Sequence, residues 1–170
     1  MPRYFIAPDQ LQETRVVLSA EDSHHFARVL RNAVGAKFTA VTGGRAYEAM
    51  AEEVDGRRVV GQIVSSEPVA VPPVAITLCQ ALPKGDKMEL VVQKATELGV
   101  AQVLPLRAAR CVVQLQGARA EARVERWQSI AEEAAEQSER EGVPRVLPVT
   151  DLKQHDPGQA LTLVLSERSA

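Results

Sequence analysis

The chain has 170 residues, 45% apolar and 25% charged, a balance that excludes disordered and fibrous classes. With 20 lysines and arginines against 22 aspartates and glutamates the formal charge is −2. That excludes a polybasic protein holding nucleic acid with its whole surface, so any such site has to be a local patch.

The length admits one medium domain or two small ones. The first nine residues reach Pro2, Pro8 and Asp9 before an apolar run forms, which argues against a cleaved signal peptide and for the cytoplasm. Residues 15–18 and 37–42 are short β-type runs, and 46–54 joins 58–64 through the hairpin dipeptide Asp55-Gly56. This half predicts a small twisted sheet or barrel. One helix interrupts it: Ser19 caps Asp22 in a capping-box pattern, and Phe26, Val29 and Leu30 recur on one face until Val34-Gly35.

Residues 65–73 contain three prolines and read as a stiff connection, which places a boundary at 68–73 between units 1–67 and 74–170. The most apolar stretch, 69–79, is broken by Pro72 and Pro73 and is too short to cross a membrane. Beyond it, 74–80 is a buried-strand run, 86–98 is helical with Gly99 as its stop, and 100–106 is strand-like, a βαβ unit. A helix at 120–141 and short strands at 145–147 and 161–165 complete a mainly parallel α/β sheet. Cys79 and Cys111 sit among apolar residues without metal-ligand spacing, which predicts buried, reduced thiols and no metal site.

Candidate chemistry concentrates in three stretches. In residues 24–31, His24, Arg28 and Arg31 either form the basic edge of an amphipathic helix or hold a phosphate backbone. Arg3 and the Arg57-Arg58 turn extend that patch. Adjacent histidines point about 100° apart on a helix, so His24 and His25 do not share a metal. Residues 82–88 place Lys84 and Lys87 at the carboxyl edge of the sheet, where open α/β folds bind ligands, although no Walker loop is present. On the long helix, Glu133, Gln137 and Arg140 fall at i, i+4, i+7. Its basic start, Arg119, Arg123 and Arg126, and its acidic end oppose the helix dipole, which points to another use of that charge.

Residues 24–31, Ala81-Leu-Pro-Lys-Gly-Asp-Lys-Met-Glu89 through Gln93-Lys-Ala-Thr-Glu-Leu-Gly99, and Glu125-Arg-Trp-Gln128 through Glu133-Ala-Ala-Glu-Gln-Ser138 together resemble the RsmE family of 16S ribosomal RNA uridine N3 methyltransferases. The resemblance runs from Arg3 to the last residues. It implies an α/β fold with a small N-terminal PUA-like β-barrel for RNA over 1–67. After it comes an open, mainly parallel SPOUT domain over 74–170, whose knotted end binds S-adenosyl-L-methionine in a homodimer. It further implies 16S rRNA or the small subunit as partner, with Arg3, His24, Arg28, Arg31, Lys84 and Lys87 on RNA.

The family's Gly-Pro-Glu-Gly-Gly loop and Arg-x-Leu-Arg-x-Glu-Thr-Ala segment do not occur here. The expectation is therefore a C-terminally truncated chain whose cofactor wall is reduced to Leu165, Ser166 and Glu167. Cys111 stands where the family usually has Ser, and Glu139 replaces a small residue before the motif arginine, Arg140. Methyl transfer to an imino nitrogen requires loss of its proton; Arg110 and Arg140 are the candidate donors to the base carbonyls, with Glu133 as a candidate base. An RNA-binding fragment without catalysis is the alternative. An unrelated nucleotide-binding enzyme is disfavoured by the missing glycine fingerprint.

Overall fold

A computed structural model describes residues 1–109, 111, 113, 115–158 and 160–165. The hairpin forms as expected: β5 (Arg45–Val54) pairs antiparallel with β6 (Val59–Pro68), and Asp55 Oδ1 accepts the amides of Arg57 and Arg58 at 2.7 and 2.8 Å. These bonds, stronger to the ionised carboxylate than to the neutral acid, hold Asp55 below the usual carboxylate range. With β1 (Arg3–Phe5), β2 (Leu11–Gln12), β3 (Arg15–Val17) and β4 (Lys37–Thr42) it builds a six-stranded sheet ordered β1-β4-β5-β6-β3-β2. Register shifts at Glu48/Ala49 and Ala51/Glu53 raise the local twist and curl the sheet.

The curled sheet is not the closed barrel expected, because its terminal strands β1 and β2 do not pair with each other. Strand β2 has only two residues, and the outer edge of β1 is occupied by a helix from the other half. Strand β6 also runs through residues 65–68, assigned above to the connection. Pro68 tolerates this because it ends the ladder, where a missing amide costs little.

Tyr4, Val16, Phe26, Phe38, Ala49 and Val59 form the core of this half. Phe38 meets Phe26 edge-on with centroids 5.5 Å apart. It also lies so close to Gly61 that a Cβ there would stand 2.6 Å from its ring, so only glycine fits. Helix α1 (Ala20–His24) starts as expected, with Ser19 Oγ accepting the Asp22 amide at 3.0 Å. It then widens into a π-turn, His25–Val29, where Leu30 N–H donates to His25 O. The inserted residue changes the helical phase: Phe26 stays buried, while Val29 and Leu30, expected beside it, are rotated into solvent.

The second half is the expected βαβ unit. Strand β7 (Thr77–Ala81), helix α2 (Lys87–Leu98) and strand β8 (Gln102–Arg107) follow in order, and every pairing in the sheet among the described residues, including β9 (Arg145–Val146) and β10 (Thr150–Asp151) on β8, is parallel. Helix α3 (Ala118–Gln137) lies beside α2, and Met88, Val92, Val103, Trp127, Ala131 and Val146 form their common core. The basic start of α3 is used here: Arg126 Nε lies 2.7 Å and Arg123 Nη1 3.5 Å from Glu89 Oε1 of α2. Lys94 and Glu97, three residues apart on α2, make an i, i+3 ion pair.

Two expectations fail in this half. Residues 161–165 form no strand, and Leu163 and Leu165 are 82% and 98% exposed; an extended apolar segment is a strand only when a neighbour supplies its ladder. Cys79 is exposed rather than buried, because β7 is an edge strand of the described sheet; its Sγ lies 3.6 Å from His155 Nε2. Cys111 is half-buried, and its Sγ accepts the Ala108 amide at 3.3 Å.

The two halves meet where β1 passes the end of α3. Phe5 N–H donates to Glu136 Oε1 at 3.3 Å, Arg3 Nη1 donates to Arg140 O at 3.2 Å, and the N-terminal ammonium meets Glu139 at 3.0 Å. Glu139 lies in the left-handed region, φ 51°, which favours the small residue it replaces. Glu139→Gly is therefore expected to keep or raise stability, by up to about 1 kcal/mol in a denaturant melt, since the exposed ion pair it removes is worth little.

Candidate functional site

Three places bring chemistry-bearing residues together. The first is a groove of about 560 Å³ in the N-terminal half, between residues 27–34 and the β5–β6 turn. Arg28 lines it and lies over Gly56, with Nε and Nη2 3.0 and 3.3 Å from where a Gly56 Cβ would stand. Arg31 follows at φ 55°, the position where a helix usually ends on glycine. Asn32 N–H closes the turn onto Phe26 O at 3.0 Å. Holding an arginine there costs about 1–2 kcal/mol.

Arg28, Arg31, Arg57 and Arg58 make no ion pair with any described residue. In a chain of charge −2 they form a local cationic surface. His24 is exposed on the same segment. Arg3 does not join them: its side chain is 14% exposed and engaged with Arg140 O and Glu141.

The second place is the carboxyl edge of the parallel sheet. A cavity of about 460 Å³ opens between the end of β8 and the start of α3, walled by Leu115, Val124, Pro148 and Val149. Arg107 closes it from below, gripping both carboxylate oxygens of Asp151 at 2.9 Å and the Leu115 carbonyl at 3.0 Å. This arginine clamps β10 and the loop after β8 at once, a role its sequence context does not reveal. Lys84 and Lys87 stand exposed on the same edge, flanking Gly85. Arg110, Ser166 and Glu167 lie outside the described residues.

The third is the seam at the opposite, amino edge, and it holds Arg140. Helix α3 ends at Gln137 and the chain turns through Glu139, so Arg140 leaves the helical face it was expected to share with Glu133 and Gln137. Its guanidinium stands over Gly99, the left-handed cap of α2 at φ 97°, where its charge faces the negative end of that helix. Glu133 is exposed on α3.

Titratable groups crowd the seam. Tyr4 Oη lies 3.3 Å from His25 Nδ1, and Glu136 reaches β1 from α3. Burial, reinforced by the charges of Asp22, Glu132 and Glu133 against the Phe5 amide, pushes the Glu136 carboxyl up to about 7. Burial raises Asp22, and burial together with the charges of Asp22 and Glu136 raises the Tyr4 phenol. An acid whose folded value exceeds its unfolded one stabilises the fold below the unfolded value and loses that contribution as pH rises through the folded one. The melting temperature is therefore expected to fall between about pH 4.5 and 7 from this group, and Glu136→Gln should flatten that part of the profile. An unchanged slope in the variant would remove Glu136 as its source.

A curled, mainly antiparallel sheet bearing a cluster of arginines, joined to a parallel sheet with a cavity at its carboxyl edge, defines a two-part α/β protein. The RNA methyltransferase domain family matches residues 71–170, and the chain belongs to that family. It is 36% identical over 160 residues to the ribosomal RNA small subunit methyltransferase E of Bacillus subtilis, covering 91% of this chain and 62% of that protein.

Two solved structures are similar along the same stretch. The ribosomal RNA small subunit methyltransferase E of Neisseria gonorrhoeae bound to S-adenosyl methionine superposes with a TM-score of 0.76 at 36% identity, covering 89% of this chain and 63% of that one. A methyltransferase from Legionella pneumophila with bound S-adenosylmethionine gives 0.77 at 33%, covering 89% and 64%. The chain thus spans about three fifths of the length of these relatives. They agree with the resemblance read from the sequence motifs.

Among the described residues no three His, Cys, Asp or Glu side chains gather as a metal site. No helix among the described residues is long and apolar enough to cross a membrane.

Proposed function

We propose that the chain belongs to an S-adenosyl-L-methionine-dependent methyltransferase of small-subunit ribosomal RNA that modifies uridine N3 in the cytoplasm. The observation that carries this reading is the agreement of fold and sequence with the S-adenosyl-methionine-bound Neisseria relative through both halves of the chain. Residues 1–67 supply RNA affinity through Arg28 and Arg31, with His24 and the carboxyl-edge Lys84 and Lys87 as further contacts. Residues 74–170 supply the transferase half, and two copies assemble, Leu90 and Leu98 being 58% and 86% exposed on α2.

Of the residues expected to wall the cofactor, Leu165 is described and is 98% exposed. What this chain's residues do for the reaction concerns the base. Uridine N3 bears a proton that must leave, and the charge spreads to the two flanking carbonyl oxygens, where a fixed guanidinium stabilises it. Arg110 is assigned that role. Arg140 is assigned to it jointly, in addition to its place at the seam, and Glu133 remains the candidate proton acceptor. A buried N3 is reached only in an unpaired or extruded nucleotide.

The test is methylation of small-subunit RNA by the full-length protein with labelled cofactor, followed by reverse transcription. A methyl on N3 blocks the pairing edge and stops the polymerase at one uridine. Label incorporated without such a stop would place the methyl elsewhere and overturn the N3 assignment.

A further inference from the structure

We propose that the groove between residues 27–34 and the β5–β6 turn is a site for one unpaired RNA nucleotide, separate from the nucleotide that is methylated. Its phosphate lies on Arg28 and Arg31, and its base lies between Val34 and Val54 against the Arg28 guanidinium. The inference rests on the RNA reading above and goes further by naming the form of RNA and the contacts.

Four observations converge on this groove. Its volume of about 560 Å³, in a groove open to solvent, is large enough to seat a nucleotide base. Its walls are unusual for a purely electrostatic surface: Ala27, Val34 and Val54 line it beside Arg28 and Asn32. Phosphate binding alone needs no apolar wall, and Val34 is 63% exposed without a protein partner covering it. The Arg28 guanidinium is placed by the absence of a Cβ at Gly56, and a guanidinium plane stacks on a base as an aromatic ring does.

The last observation is the backbone. A π-turn and a left-handed arginine occur within one segment, His25 to Arg31, and both features concentrate at functional sites. The turn sets the phase that puts Arg28 over Gly56, and the left-handed residue directs the chain back to form the second wall. A duplex does not use such a place, because an A-form helix is read by shape across its minor groove and offers no free base face. Asp55 on the rim has its Oδ1 committed to the Arg57 and Arg58 amides, and it makes no ion pair with Arg28 or Arg31.

The experiment compares, by fluorescence anisotropy with this chain, a short single-stranded RNA of mixed sequence with its duplex. Single-strand binding tighter by about tenfold is expected, the contribution of one stacked base. Val34→Asn and Gly56→Ala change no charge, and Gly56 lies outside the left-handed region, so alanine suits its backbone. Each should lower single-strand affinity about tenfold and leave duplex affinity unchanged.

Arg31→Gly should lower single-strand affinity and reduce the salt slope by about one, while raising the melting temperature by roughly 2–4 °C as the backbone strain is relieved. Equal affinity for the two forms, or single-strand binding unaffected by both Val34→Asn and Gly56→Ala, overturns the nucleotide site and leaves a phosphate-binding surface. Failure of the wild-type chain to bind either form overturns the RNA reading itself.

Discussion

Gly99→Ala is expected to destabilise the protein by about 2–3 kcal/mol, a fall of roughly 5–10 °C in melting temperature. Two causes add. Gly99 caps α2 at φ 97°, where an L side chain costs about 1–2 kcal/mol. A Cβ there would also stand 2.5 and 2.9 Å from Arg140 Nη1 and Nη2, so the guanidinium has to leave the negative end of α2 and loses a favourable charge–dipole interaction. The contact is tested by a double-mutant cycle. With Arg140→Ala present the collision is gone, and Gly99→Ala should cost only the backbone term. Strict additivity of the two changes would mean that Arg140 does not hold this place in solution.

In the full-length protein, Arg110→Ala is expected to reduce the single-turnover methylation rate at saturating RNA and cofactor by about a hundredfold or more. The donor is lost where charge develops on the base, and a loss of that size is typical for one oxyanion donor. A normal rate at saturation with weaker RNA binding would make Arg110 a positioning contact. Arg140→Ala separates its two assignments: a comparable fall in rate supports the catalytic one. A lower melting temperature with an unchanged rate confines Arg140 to the seam, where it faces α2 and its carbonyl accepts from Arg3.

What the sequence determined by itself is what depends on near neighbours. The Asp55-Gly56 turn and the cap made by Ser19 are interactions within a few residues, and both occur as read. The stop at Gly99 and the βαβ order follow from periodicity and one conformational preference, and they too are present. The motif resemblance went further than periodicity, because it rests on combinations of side chains with no local structural reason to occur together.

Tertiary structure decided everything that needed a distant partner. Residues 161–165 have the pattern of a strand and form none, since a strand exists only through its neighbour. Arg3 and Arg28 look equivalent as isolated cations, yet one is consumed at the seam and the other is left over Gly56. The π-turn inserts one residue, which periodicity assumes away, and that single residue exposes Val29 and Leu30. The Arg107 clamp joins positions 44 apart in the chain, and Glu136 reaches Phe5 across 131. The raised affinity of Glu136 for its proton arises only when α3 docks on β1, because desolvation is a property of the assembled seam and of no residue alone.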